Sequence, residues 1–384
     1  MFLSSLRLRN FRNFADQALE LPPEGVALVG DNGQGKTNLL EAIYYLEIFR
    51  SFRGAADEQL VRFGEDVFRI EARVESPERG GASHTVAAAL DRRAKRKKIT
   101  VDGAEPPRLS DAIGTLGAVI FSPSDVEIVS GSPGARRRFL DIVLSLALPG
   151  HLALLQRYRQ ALGQRNALLR QGAPRPLVES WDAGLIGAGS RIIAARRRWV
   201  EERAATFAAR SATIAGGAPS ALAYEPSVPL DDIDGDSDAA VERIAERFAA
   251  ELSRVAEREQ RRGMTMVGPH RDDLRLTASA EGRSAPIDLR TYGSGGQQRT
   301  AAVALRMVEA ETLQEARGRE PIILLDDVFA ELDAGRSRRI LEWVEAEEGG
   351  QVILTAPKPS DFELRGGSLA EWRIDAGIIQ PYPG

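Results

Sequence analysis

The chain contains no cysteine in 384 residues. That excludes disulfides and thiolate metal sites and makes the cytoplasm the expected location. It holds three histidines, His84, His151 and His270, too scattered for a metal cluster. No apolar run reaches the roughly eighteen residues that a membrane-spanning helix needs, so no membrane association is expected. The segment Met1–Arg7 meets a basic residue too early for a secretory signal. Sustained a/d heptads and internal repeats are lacking, which argues against long coiled-coil arms and solenoids. Positive charge is in deficit overall: 51 Lys and Arg against 55 Asp and Glu give a net charge of −4.

That sum hides a clustered distribution. Arg92, Arg93, Lys95, Arg96, Lys97 and Lys98 fall in one short stretch. Arg136, Arg137 and Arg138 form a triplet, as do Arg196, Arg197 and Arg198. Acidic charge gathers elsewhere, at Asp231, Asp232, Asp234 and Asp236. Local field, more than net charge, decides contact with phosphates, so the 92–98 run and Arg136 are candidate DNA contacts. Solvated faces are the bland alternative. For Arg137 and Arg138, packing around Phe139 and Leu140 competes.

The segment Gly30-Asp31-Asn32-Gly33-Gln34-Gly35-Lys36-Thr37 satisfies the pattern of a phosphate-binding loop. The apolar Val26–Val29 precedes it, and Asn38–Tyr44 follows with helical spacing of apolar residues. Glycines let the backbone wrap around phosphates, and a helix N-terminus adds its positive dipole end. Lys36 is expected to reach the β- and γ-phosphates of a nucleotide, and Thr37 to place its hydroxyl on Mg²⁺. A glycine-rich surface turn is the alternative. The spacing of Gly30, Gly33 and Gly35 does not fit a dinucleotide fingerprint.

Two distant segments complete this pattern. Pro321–Leu325 is continuously apolar, as a strand buried on both faces would be, and it ends in Asp326 and Asp327. A carboxylate at that end is placed to hold Mg²⁺, the role expected of Asp326. Ser294, Gly295, Gly296 and Gln297 open the helical pattern of Thr300–Glu311, where a serine hydroxyl and glycine N–H groups make an anion site.

The expected fold is α/β. An ATPase head combines a mixed sheet with an antiparallel meander, and a compact helical second lobe is inserted in it. Residues 1–124 are read as the first part of the head, 125–263 as the helical lobe and 264–384 as the rest of the head. Phe68–Ser76, His84–Arg92 and Lys97–Asp102 read as the meander, with a turn at Glu78–Gly81 and the basic run on a hairpin tip. Arg137–Leu148, His151–Leu169, Pro176–Arg210 and Ala239–Arg262 read as helices. Leu274–Ala278 and Ile287–Leu289 read as strands that return the chain to the head.

Several runs resemble the RecF family, in the SMC-like branch of the ABC ATPases. They include Leu6–Phe14, Gly33–Tyr44, Arg50–Arg53, Phe121–Pro123, Gly131–Pro133, Arg136–Asp141, Gly268–Asp273, Tyr292–Ser294 and Leu325–Asp333. Gly295 and Lys358 depart from what related proteins carry. The resemblance implies that Asn10 and Arg12 belong to a segment touching the nucleotide, and that Asn38 joins the phosphate loop. It makes Lys36, Asp327 and Ser294 the catalytic set. Asp327 stands where ABC-type ATPases usually carry a glutamate that orients water, and its shorter side chain implies slow hydrolysis. It implies ATP and Mg²⁺ as cofactors, a weak DNA-stimulated ATPase and an ATP-dependent homodimer completed by Ser294 of the second copy. It also implies binding to duplex DNA and to single-strand/duplex junctions at gaps, and work with RecR and RecO in loading RecA. A transporter-type ATPase subunit and a small-molecule kinase remain alternatives; the size of the helical insertion disfavours the first and the Ser294 motif the second.

Overall fold

The computed structural model describes residues 1–76, 82–231, 233, 237–279, 285–329, 332–346, 350–358 and 369–381. The expected turn at 78–81, Asp232, Asp234 and Asp236 of the acidic loop, and Ala330 and Glu331 lie outside the described residues. The chain divides into two compact units, Met1–Asp125 with Glu309–Gly384, and Val126–Val308.

The first unit opens with β1 (Phe2–Phe11), β2 (Phe14–Glu20), β3 (Gly25–Val29) and α1 (Lys36–Ile48). It continues with β4 (Val67–Ser76), β5 (Ala82–Asp91), β6 (Arg96–Val101) and β7 (Ala118–Phe121). The second unit holds α2 (Val126–Ser130), α3 (Pro133–Ala147), α4 (His151–Arg170), α5 (Arg175–Glu179) and α6 (Asp182–Ala215). It goes on through β8 (Ser220–Glu225), α7 (Asp238–Arg262), β9 (Asp273–Ala278), β10 (Ile287–Asp288) and α8 (Leu289–Tyr292). The boundary at 308/309 falls inside α9 (Gly295–Arg317). The first unit then resumes with β11 (Ile322–Asp326), α10 (Ala334–Ala346), β12 (Val352–Ala356), β13 (Ala370–Asp375) and β14 (Ile378–Pro381).

In the first unit a six-stranded sheet has the order β14-β13-β3-β12-β11-β7. Only the β13–β14 pair is antiparallel. Every residue of β3, β7, β11 and β12 is buried, as the unbroken apolar runs demand of a sheet covered on both faces. The second sheet, β2-β1-β4-β5-β6, is antiparallel throughout. It alternates: Phe68, Ile70, Ala72 and Val74 are buried, while Arg69 and Arg73 face water. Helix α1 is buried almost all round and packs on strands of both sheets. Phe68 meets Phe11 and Tyr45 edge-on there, and Phe11 and Tyr45 are tilted to each other, with ring centroids 5.4–6.4 Å apart.

In the second unit α4, α6 and α7 pack around Leu155, Tyr158, Leu185, Ile192, Ile244 and Phe248. Here two expectations are corrected, and one strand had no counterpart among them. The helix read as Pro176–Arg210 is two helices, α5 and α6, separated at Ser180 and Trp181. The strand β8 went unread, because its alternation rests on Ala221 and Ala223, poor strand formers. Finally, β9 pairs with β8 and β10 in a separate three-stranded sheet instead of returning to the head. Residues 264–308 therefore sit in the second unit. Asp272 explains this placement: its buried carboxylate accepts from Tyr224 and from Ser227 N, tying the loop before β9 to β8 and the segment after it.

Candidate nucleotide site

The loop Gly30–Gly35 leaves β3 and enters α1. Gly35 has φ +117°, and a Cβ there would lie 2.4 Å from Asn13 Nδ2. At Gly30 a Cβ would lie 2.5 Å from the Ile374 carbonyl oxygen. Neither position takes a side chain in this conformation. Helix α1 has no side-chain cap and no acidic residue in its first turn. Its first N–H groups and dipole end therefore face the loop, the arrangement that binds anions.

The loop is braced from outside. Asn13 Nδ2 donates to the Gln34 carbonyl (2.7 Å), and Asn38 Nδ2 donates to Asn13 Oδ1 (2.9 Å). From the β13–β14 turn, Ala376 N donates to Gln34 Oε1 (2.6 Å) and Gly377 N to the Gln34 carbonyl (3.1 Å).

Lys36 is 6% exposed. Its ammonium donates to the carbonyls of Gly30 and Asp31. Burial lowers its pKa, and the charges of Asp327, Asp326 and Asp31 pull it back up. Thr37 Oγ1 donates to Asp326 Oδ1 at 2.8 Å, so the helix start and the end of β11 meet as the sequence pattern requires. Asp326 is 4% exposed, and burial raises its pKa against the hydrogen bonds from Thr37 and Thr355. Asp327 is half-buried with φ +48°, a left-handed conformation that aspartate tolerates better than most residues. Its N–H points to Thr355 Oγ1 (3.1 Å) and the Thr355 carbonyl (3.3 Å).

Thr355, Asn13 and the Ala376–Gly377 turn are supports that the sequence reading missed. A signal existed for Thr355: it closes a second apolar run, Val352–Leu354, parallel to β11. Arg53 was missed as well. Its Nη1 donates to Asn38 Oδ1 (3.3 Å), and its charge lowers the Asp326 pKa.

Arg12 and Asn10 are placed otherwise than the nucleotide role suggests. Arg12 holds the buried Glu41 through Nε (2.8 Å) and Nη2 (2.9 Å), and its Nη1 donates to the Gln59 carbonyl (3.2 Å). That fork fixes α1 from behind. Asn10 donates to Glu65 (3.2 Å).

Ser294 lies in the second unit, as the cap of α9. Its Oγ accepts from Gln297 N (3.2 Å), and Gln297 Oε1 accepts from Ser294 N (2.9 Å), a reciprocal capping box. Ser294 and Gly295 are exposed.

The candidate DNA contacts divide. Arg136 is 2% exposed. It grips Asp273 through Nε (2.7 Å) and Nη2 (2.9 Å) and donates to the carbonyls of Val129 and Gly131. A buried, paired guanidinium is no surface for phosphates, so Arg136 is withdrawn from that role. Lys97 is partly buried against Asp57 (3.0 Å) and the Tyr45 ring, and it too holds the fold. Lys98 meets Glu105 (3.2 Å), while Arg92 and Arg93 both meet Asp66 (3.1 and 2.5 Å). Lys95 and Arg96 are exposed. Among the described residues no helix is long and apolar enough to cross a membrane.

The family model of the RecF/RecN/SMC N-terminal domain matches residues 2–365. The DNA replication and repair protein RecF of Synechococcus sp. strain JA-3-3Ab is 39% identical over 390 residues, covering 100% of this chain and 97% of that protein. Its namesake in Salinibacter ruber is 37% identical over 370 residues, covering 94% and 86%. A solved structure described as the recombination mediator protein RecF-ATP in the RecFOR pathway matches with a TM-score of 0.86 at 31% identity, covering 100% and 98%. The SMC head of Pyrococcus furiosus with an extended coiled coil, at a TM-score of 0.57 and 15% identity, shares the fold.

Proposed function

The chain belongs to the RecF family within the RecF/RecN/SMC group of ABC-type ATPases, and from that premise we propose that it is an ATP-dependent DNA-binding recombination mediator. Relatives at 31% identity are described with ATP and with ATPrS in the RecFOR pathway, which supports ATP as its nucleotide. RecR and RecO are its expected partners, RecA loading its outcome, and the cytoplasm its location. Its DNA targets are duplexes and single-strand/duplex junctions at gaps.

One observation carries the reading: the Thr37–Asp326 hydrogen bond beside a buried Lys36. A hydroxyl and a carboxylate are the hard oxygen donors that Mg²⁺ takes, so Thr37 and Asp326 would hold it. When bound, Mg²⁺ neutralises charge on the β- and γ-phosphates. Lys36 exchanges its carbonyl partners for phosphate oxygens, and the loop and α1 N–H groups take the rest. Asp327 orients the attacking water and draws its proton. One methylene shorter than glutamate, it does so slowly, and DNA binding speeds it; hydrolysis then releases the DNA. Ser294 of a second copy completes the site against the γ-phosphate, which ADP lacks.

Sedimentation with ATP or ADP tests the assembly. The wild type is expected to dimerise with ATP alone, and Ser294→Arg to bind ATP as a monomer that neither hydrolyses it nor retains DNA. A nucleotide-independent oligomer, or normal dimerisation of Ser294→Arg, would sink the mechanism.

A further inference from the structure

Phe63 is 100% exposed. Glu65 N donates to the Arg62 carbonyl (3.0 Å), and Gly64 between them has φ +88°. A left-handed third residue closed by that bond is a type II turn, and it presents the second residue, Phe63, outward. The turn is anchored. Arg62 N donates to the Asn10 carbonyl (2.8 Å), and Asn10 Nδ2 donates to Glu65 (3.2 Å). The β5–β6 turn, Arg92–Lys95, stands at the same end of β4: Arg92 N donates to the Asp66 carbonyl (2.8 Å), and Val67 pairs with Asp91. The two turns thus bring Arg62, Arg92, Arg93, Lys95 and Arg96 to one end of the sheet with Glu65, Asp66 and Asp91, a local excess of two positive charges in a chain of net charge −4. Asp66 neutralises Arg92 and Arg93 in part, whereas Lys95 and Arg96 have no ion-pair partner among the described residues.

We infer that Phe63 is a stacking platform for an unpaired base, with Arg62, Lys95 and Arg96 holding the phosphates on either side. An aromatic face set among cations matches a nucleic-acid strand better than an apolar protein surface, which would oppose the charges. A continuous duplex offers no open base face, because each base is covered by its neighbours. A gap or a single strand does. The inference rests on the DNA-binding reading above and names the group that would tell a gap from intact duplex.

The test compares the full chain with Phe63→Ala and Phe63→Trp on gapped DNA, single strands and a covalently closed circular duplex, with ATP present. A fully exposed side chain can be replaced without unfolding, which thermal melting checks. Phe63→Ala is expected to weaken gapped and single-stranded DNA binding about 5- to 100-fold and to leave the circular duplex within about twofold. Phe63→Trp is expected to keep wild-type affinity and to gain fluorescence that gapped DNA quenches. An unchanged Phe63→Ala affinity for gaps overturns the inference. So does an equal loss on the closed duplex, or loss of a protein partner with DNA binding intact. If the wild type binds none of these DNAs, the recombination-mediator reading fails. If it binds them and Phe63→Ala binds equally, only the stacking inference fails.

Discussion

In the first unit, the buried Lys36 and Asp326 have neutral hydrogen-bond partners: two carbonyls for the ammonium, two threonine hydroxyls for the carboxylate. In the second, Arg136 and Arg196 are as deeply buried, yet each meets a carboxylate, Asp273 at 2.7 Å and Asp141 at 2.7 Å. A buried charge whose hydrogen-bond partners are all neutral is costly, and burial disfavours its ionised form against the pull of charges farther off. The pKa directions agree: burial pushes Lys36 down and Asp326 up, both towards neutrality. Such a cost persists where a ligand supplies the missing charges. The paired arginines of the second unit need no ligand and hold its architecture.

The largest expected effect follows from exchanging one group of each kind. Arg196→Ala leaves Asp141 and the neighbouring Asp272 buried without their guanidinium, and is expected to destabilise the second unit by about 3–5 kcal/mol. Urea unfolding with segment-resolved hydrogen exchange reads it. Lys36→Met is expected to do the reverse: unchanged stability, and nucleotide affinity lowered by roughly 30-fold or more. A stable Arg196→Ala protein, or an unfolded Lys36→Met protein, breaks the comparison.

Asp327→Asn sharpens it within the first unit. The shape is kept and the charge removed, so ATP binding is expected to survive while turnover falls on the order of 10²-fold. Single-turnover kinetics separates the two. Wild-type turnover would remove Asp327 from the water-orienting role.

Acid is expected to act on the second unit first. His151 is buried and His270 half-buried there, and desolvation lowers both pKa values to about 4. The unfolded chain takes up those protons near pH 6.5 and the folded chain does not. Their contribution is therefore whole above pH 6.5 and falls towards pH 4, by about 1 kcal/mol per histidine at pH 5.5. Asp272 works with the opposite sign: burial raises its pKa, so acid favours its folded form, but only below that raised value. In the first unit His84 is exposed, beside Asp102. Hydrogen exchange at pH 7.5 and 5.5 should show α4 and α7 opening before β3 and β11; the reverse order would sink this.

What was legible follows from the same contrast. The phosphate loop, α1 and the strands β3 and β11 could be read because their chemistry is local: adjacent glycines, one helical period, one apolar run. The meander could be read from its alternation. The arginine triplets could not. Arg136 meets Asp273, 137 positions away, and Arg137 donates to the Asp272 carbonyl, so their roles depend on partners distant in sequence. The same distance hid Asn13 behind Gln34 and misplaced β9, whose partner β8 is alanine-rich.

The smallest expected effect probes whether Thr355 is a positioning residue. It touches both carboxylate residues of the site. Its hydroxyl lies 3.2 Å from Asp326 Oδ1 and accepts from Asp327 N at 3.1 Å. Thr355→Val keeps the volume in the buried β12 and removes the hydroxyl. Asp327 N retains the Thr355 carbonyl at 3.3 Å, so the fold should hold. Asp326 loses one of the two hydrogen bonds that lower its pKa against burial, so that pKa should rise further. Mg²⁺ needs the ionised carboxylate. The acid limb of the ATPase pH profile should then move to higher pH, with turnover at neutral pH reduced several-fold, about 1 kcal/mol. Thr355→Ser restores the hydroxyl and should restore the profile. A packing role alone would lower stability and leave the acid limb where it was, and Thr355→Ser would then be the worse of the two variants.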